Sequence, residues 1–255
     1  MRSLVVALLA LVACDKVYGL GGRVEIDAPP TAYVVEVTAD SPAAFYRMGE
    51  STGVTCFDAI GDLHGTYAGT FVLGTPGAVF GDSDTAVTFG PGPAGAVFGD
   101  IHEFEGTNAF SLEAWVNVTD DTHFNNLIAK YAEPLVATGY VLYAKDGRLV
   151  FARGVTQTNQ SLVEYPGFET NRFVHVAATY DGSMMRLYVD GVMQNEKPSG
   201  IMLPDQTVGF TIGSANGTIN SEPTEGVIDE VAIYPGALPA ARVFAHFVAG
   251  SPPPI

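Results

Sequence analysis

A chain of 255 residues holds either one large sandwich or two small domains. Its composition, 47% hydrophobic with 29 Gly and 16 Pro, excludes a disordered chain and suits a folded domain with ample core. The formal net charge of −16, from 12 Lys and Arg against 28 Asp and Glu, excludes a nucleic-acid partner, whose phosphates demand clustered cations.

The first residues read as a targeting segment. Arg2 supplies a minimal positive start, and residues 4–12 form an apolar run too short to span a bilayer stably. The run ends Leu11-Val12-Ala13-Cys14, which resembles the lipobox of bacterial lipoproteins. That resemblance implies a leader of residues 1–13, a lipid on Cys14 and a membrane-anchored protein of the cell envelope. Plain secretion is the alternative, although Leu11 is a poor residue for an ordinary cleavage site. With lipid on Cys14, Cys56 is unpaired and reads as a small buried hydrophobe. No CxxC or Cys/His cluster points to zinc. Residues 14–31, glycine-rich and then punctuated by Pro29 and Pro30, read as a flexible tether.

From residue 32 onward, turn signals recur every eight to twelve residues, and short alternating runs lie between them. Strands are expected at 44–48, 65–71, 86–89, 110–118, 126–131, 140–144, 148–152, 161–165, 173–180, 184–189, 208–212 and 227–234. In residues 110–118, Phe110, Leu112, Ala114, Val116 and Val118 face one way, while Ser111, Glu113, Trp115 and Asn117 face the other. Residues 173–191, FVHVAATYDGSMMRLYVDG, are two period-two runs split by Asp181-Gly182, the pattern of a β-hairpin. Only residues 238–248 have a helical pattern, with Leu238, Val243 and Phe247 on one side, and Gly250 with the prolines at 252–254 stops it. A dozen short strands predict an all-β, two-sheet antiparallel sandwich over residues 32–250, with a short C-terminal helix and a Pro-rich tail at 251–255.

Six separated segments resemble the laminin-G-like jelly roll of the concanavalin A-like lectin/glucanase superfamily, in the family's order. They are AFYRMGE at 44–50, CFDAIGDLHGTYAG at 56–69, AFSLEAWVNV at 109–118, GYVLYAKDGRLVFA at 139–152, the 173–191 hairpin, and GVIDEVAIYPGAL at 226–238. Residues 86–98 fill the place of the strand and glycine-rich turn between the second and third. The match departs from the family at Phe173 and at Phe45-Tyr46, where Trp is usual, and at Ala59-Ile60, which replace a small polar pair.

Asp58 and Asp62 straddle Gly61 in a tight loop, so that carboxylate and carbonyl oxygens can converge on calcium, which takes six to eight of them. The same residues also suit Asx-turn hydrogen bonds. The family resemblance implies that Asp229, on the last strand, completes such a calcium site. For a ligand, the expected contacts are aromatic: Trp115 on the polar-looking face of its strand, and Tyr131, Tyr140, Tyr165 and Phe168 around the central hairpin. Glu25-Ile26-Asp27 echoes the paired carboxylates of laminarinase-type glycosidases, but Pro29 stands where the second acid belongs and the tripeptide precedes the sandwich. No G-x-S-x-G elbow is present. The expected function is therefore non-catalytic binding of an extracellular glycan, assisted by calcium. An adhesive envelope protein that binds another surface protein is the alternative, and a divergent glycosidase-like sandwich the third reading.

Overall fold

A computed structural model describes residues 31–132, 138–156 and 158–253. Helix α1 (Ala32–Ala39) comes first, followed by strands β1 (Ala44–Tyr46), β2 (Thr55–Cys56), β3 (Gly65–Pro76), β4 (Thr85–Val97) and β5 (Phe110–Val118). The central strands are β6 (Asn125–Ala132), β7 (Thr138–Lys145), β8 (Arg148–Thr156) and β9 (Asn159–Tyr165). Strands β10 (Val174–Tyr180), β11 (Met184–Val189), β12 (Val192–Pro198), β13 (Thr211–Ile212) and β14 (Gly226–Tyr234) follow, and helix α2 (Ala240–Gly250) comes last.

The strands form two antiparallel sheets that share a corner. Sheet 1 runs β12-β11-β10-β5-β14-β4, and sheet 2 runs β4-β13-β6-β7-β8-β9. Strand β4 belongs to both: Val87 and Phe89 pair with Ile228 and Gly226 in sheet 1, while Ala96 and Val97 pair with Ile212 and Thr211 in sheet 2. Strand β3 follows β4 around the bend, with a register shift between Gly69 and Phe71. Gly69 is at φ +79°, and a Cβ there would lie 2.0 Å from the carbonyl oxygen of Pro93, so the corner admits only glycine. At the opposite edges the sheets meet where Asn195 of β12 donates to the Glu164 carbonyl of β9 at 2.9 Å.

The alternation in β5 divides as expected. Phe110, Leu112, Ala114, Val116 and Val118 enter the core between the sheets. Phe110 stacks on Phe104 with ring centroids 4.4 Å apart and also meets Tyr140 and Phe151. Glu113 and Trp115 point to the outer face of sheet 1, and helices cover that face. Val243, His246 and Gly250 of α2, at i, i+3 and i+7, are buried there with Tyr33, Val34 and Val37 of α1.

Helix α1 is absent from the expected elements. Its sequence, AYVVEVTA, is rich in β-branched residues that disfavour helix locally. Thr31 caps its start by accepting from the Val34 N–H, and burial of one face against sheet 1 supplies what propensity lacks. Strand β12 is also unexpected, because all seven of its residues are exposed and carry no alternation. Helix α2 turns the face one step from expectation: His246 is buried, while Phe247 is only partly covered.

Phe110→Ala removes the ring on which four aromatic neighbours pack, and should lower unfolding free energy by about 3–5 kcal/mol. Urea denaturation measures it, and a loss below about 1 kcal/mol would contradict this packing.

Candidate functional site

No described helix covers the outer face of sheet 2. Strand pairing sets Ala129, Val141, Ala152 and Leu162 side by side in one row across β6, β7, β8 and β9. The next row is Tyr131, Gly139, Gly154 and Gln160, in which two of four positions carry no side chain. On the other flank lie Asn126, Tyr143, Val150 and Glu164. Ala129, Tyr131, Val141, Ala152 and Ala215 form one apolar cluster, with Tyr143 and Leu162 packed at its margin. Ala129, Val141 and Ala152 are buried in this cluster, and its margin at Tyr143 and Leu162 is partly open. Polar groups rim it. Gln160 is exposed, and Glu164 pairs with Arg148 at 2.8 Å. Beyond them, Lys145 lies over the Phe124 ring, 3.9 Å from its centre.

Of the aromatic residues expected to touch a ligand, Tyr131 alone lies on this face. Trp115, 5% exposed, packs between sheet 1 and the helices, with the rings of His175 and Phe247 at 5.0 and 5.9 Å. It is a docking surface for helices and offers no platform to a sugar. Tyr140 is fully buried in the core and donates to the His102 carbonyl at 2.9 Å. Phe168 is buried in the same core, and Tyr165 packs half-buried against it. The residues missed were Tyr143, Val141 and Leu162. Strict alternation through residues 140–144 carries the signal, because the parity that buries Tyr140 and Leu142 turns Val141 and Tyr143 outward.

The expected calcium ligands are separated. Asp58 is buried and acts as a loop clamp: Oδ1 accepts from the Phe45 and Ile60 N–H groups at 3.0 and 3.2 Å, and Oδ2 from Leu63 at 3.4 Å. Gly61 leaves room for this clamp, since a Cβ there would come within 2.7 Å of Asp58 Oδ2 and push it aside. Asp62 is exposed. Among the described residues, only Glu103, Glu105 and Asp205 bring three carboxylate oxygens within 4.8 Å of one another, so Asp58, Asp62 and Asp229 do not converge. The loop instead follows the Asx-turn alternative.

Asp229 stands in a different acidic group. A bulge in β14 opposite β5 follows Asp229 and holds Glu230 at φ +52°. Arg47 Nη2 lies 2.7, 2.9 and 2.8 Å from Asp82, Asp84 and Glu230. Burial pushes the Glu230 carboxyl up to about 8, despite the opposing pull of Arg47. Burial, together with the Glu230 charge, also pushes Asp229 well above the usual carboxylate range. Asp229 is 2% exposed; its Oδ2 accepts from the Ala78 N–H at 2.7 Å, but its Oδ1 has no hydrogen-bond partner. Three carboxylates thus meet one guanidinium, and the buried Oδ1 of Asp229 is left without a donor. The unpartnered Asp229 Oδ1 can take up a cation, although among the described residues no three of these carboxylates bring oxygens within 4.8 Å of one another. Cys14 and the rest of residues 1–30 lie outside the described residues.

Residues 91–244 match the Laminin_G_3 model of the concanavalin A-like lectin/glucanases superfamily. No curated protein matches the chain in sequence. Among solved structures, the ligand-binding domain of botulinum neurotoxin serotype D in complex with N-acetylneuraminic acid is similar, with a TM-score of 0.62 at 12% identity. The match covers 83% of this chain and 52% of that one. Trypanosoma rangeli sialidase, in its covalent complex with 2,3-difluorosialic acid, has a TM-score of 0.60 at 17% identity, covering 83% of this chain and 33% of that one. The chain therefore spans about half of the neurotoxin domain and a third of the sialidase, and the likeness is one of fold.

Proposed function

This chain belongs to the Laminin_G_3 family of the concanavalin A-like lectin/glucanases superfamily, and we propose that it is a non-catalytic carbohydrate-binding module that holds its ligand on the outer face of sheet 2. The observation that carries the reading is the apolar row Ala129, Val141, Ala152 and Leu162, flanked by Tyr131 and Tyr143 on a sheet face that no described helix covers. A sugar presents C–H faces that pack on aromatic and aliphatic surface, and hydroxyls that an amide such as Gln160 can meet as donor or acceptor. The neurotoxin domain of similar fold is solved with a sialic acid, and this supports a glycan as the ligand class. Hydrolysis by a carboxylate pair needs a second acid about 5 Å from the first. Among the paired outward positions on β6–β9, Glu164 is the one carboxylate, and it is tied to Arg148.

Calcium belongs to the Asp229 end of the molecule in this reading, and not to the Asp58 loop. Asp229 and Asp84 would hold it, and its charge would offset the surplus of carboxylates around Arg47. The role is structural: the ion would bind the 77–85 turn to β14, since Asp229 already accepts from Ala78. The protein works outside the cell, tethered to the envelope through lipid on Cys14; the apolar run and the Leu11–Cys14 sequence support this.

Tyr131→Ala and Tyr143→Ala should each weaken glycan binding about tenfold on an array or by calorimetry, with melting temperatures close to the parent's. Binding unchanged in both variants would move the site elsewhere. A silent array together with a co-purifying surface protein would favour the adhesive reading. Because the raised Glu230 and Asp229 carboxyls keep protons in the folded state that the unfolded chain sheds above about pH 4, stability falls as pH rises toward 8 unless a cation takes the protons' place. Calcium should therefore raise the melting temperature at pH 8 and far less at pH 5, and EDTA should reverse it; no shift at either pH removes the ion from the account. Mass spectrometry of the mature N-terminus should find a diacylated or triacylated Cys14, and an unmodified secreted chain would rule out the anchor.

A further inference from the structure

Both helices are held to sheet 1 through one buried carboxylate. Glu113 of β5 is fully buried, with Oε1 2.8 Å from His175 Nε2 and 3.3 Å from the Tyr33 hydroxyl. Its Oε2 is 3.0 Å from the Tyr234 hydroxyl and 2.9 Å from His246 Nδ1. His246, also fully buried, reaches onward: its Nε2 lies 2.9 Å from Oδ2 of Asp40, the residue that ends α1. Arg242 of α2 meets the same Asp40 oxygen at 2.7 Å and Glu36 of α1 at 2.6 Å.

This geometry sets the protonation state of His246. Each ring nitrogen faces a carboxylate oxygen, and a carboxylate only accepts. A neutral imidazole has a single N–H, so it would set a lone pair against one of the two anions. Only the imidazolium satisfies both contacts. Asp40 also lies at the negative end of the α1 dipole, where an anion is disfavoured unless a cation meets it.

We propose that His246 is a proton-operated latch: its imidazolium joins Glu113 of the sheet to Asp40 of α1, and loss of one proton frees α1 from sheet 1. The groups that face the ring are Glu113 from β5, Tyr234 from β14, Asp40 from α1 and Arg242 from its own helix. His175 of β10 shares Glu113, as does Tyr33, behind which stand Asp229 and Glu230; Glu36 binds Arg242. Burial alone would lower the His246 pKa, but hydrogen bonding to Glu113 and the charges of Glu113 and Asp40 outweigh burial and raise it. Burial would likewise raise the Glu113 pKa, yet its two histidines hold it well below the ordinary carboxylate range. The sign follows. A raised imidazole contributes stability that is complete below its unfolded value of about 6.5 and lost as pH rises through the folded value. Glu113, with its pKa depressed, remains ionised throughout that range. The latch is closed below about pH 6.5 and opens as pH rises through the raised folded value.

Opening would uncover the apolar strip on which Tyr33 and Val37 rest, including Trp115 and Tyr234. This lies on the sheet opposite the proposed glycan site, so the latch does not depend on that site.

Amide hydrogen exchange by mass spectrometry, corrected for intrinsic rates, tests it between pH 6 and pH 9. Peptides spanning residues 31–40 should lose protection about tenfold more than peptides from β7 and β8. In Asp40→Asn, the amide can donate to a neutral imidazole, so α1 should remain protected at pH 9 and the step should vanish. A step retained unchanged in Asp40→Asn would assign it to another group, such as Glu230, and overturn the latch. Equal loss across α1 and the strands in the parent protein would do the same. NMR titration of His246 in the folded parent gives a second readout, and a midpoint at or below the unfolded value would also contradict it.

Discussion

The carboxylate of Glu113, fully buried on the outer face of sheet 1, is the interaction on which the arrangement of layers rests. A charge in a dry interior is tolerated only when it is paired and hydrogen-bonded. Four side chains meet that demand here, one each from α1, α2, β10 and β14. Removing any one leaves the anion short of a donor, so the helices are held to a specific place and not merely by apolar contact. The result is a three-layer body: helices, sheet 1 and sheet 2, with aromatic core between the sheets.

That layering decides where a ligand can go. One face of sheet 1 is occupied by α1 and α2, and the inner faces of both sheets are occupied by each other. Sheet 2 alone presents a face with no described helix on it. Because β3 and β4 run through both sheets, the two cannot separate without breaking shared strands, and sheet 2 is a firm base for tyrosines at set spacing. The acidic group around Arg47 lies beside β1 and β14, away from that base, which suits a role in holding structure.

The fold was legible from residues because alternation is a direct record of which side is buried. Residues 110–118 and 173–191 lie in strands as expected, and β5 divides its side chains between core and outer face as alternation requires. What alternation could not say is what covers the second face. Trp115 was correctly placed opposite Phe110, but its face holds helices and not solvent, and one of them forms from a β-branched sequence with no helical signature. Tyr140 and Phe168 were expected to touch a ligand because turn signals around the central hairpin lie close by, whereas Tyr140 sits on β7 with the parity of the core and Phe168 is buried in that core. For Asp58, the residue types were compatible with either metal or backbone donors, and the choice depended on Phe45, thirteen residues earlier, coming within reach.

The central claim is that the ligand lies on the outer face of sheet 2. Backbone amide NMR of the folded chain, titrated with a glycan identified as a binder, tests it most directly. The account predicts that the largest shift changes map to Ala129, Tyr131, Val141, Tyr143, Ala152 and Leu162, with β10, β11 and the helices unmoved. Changes confined to the helix layer, or to the loops at the ends of the sandwich, would contradict it.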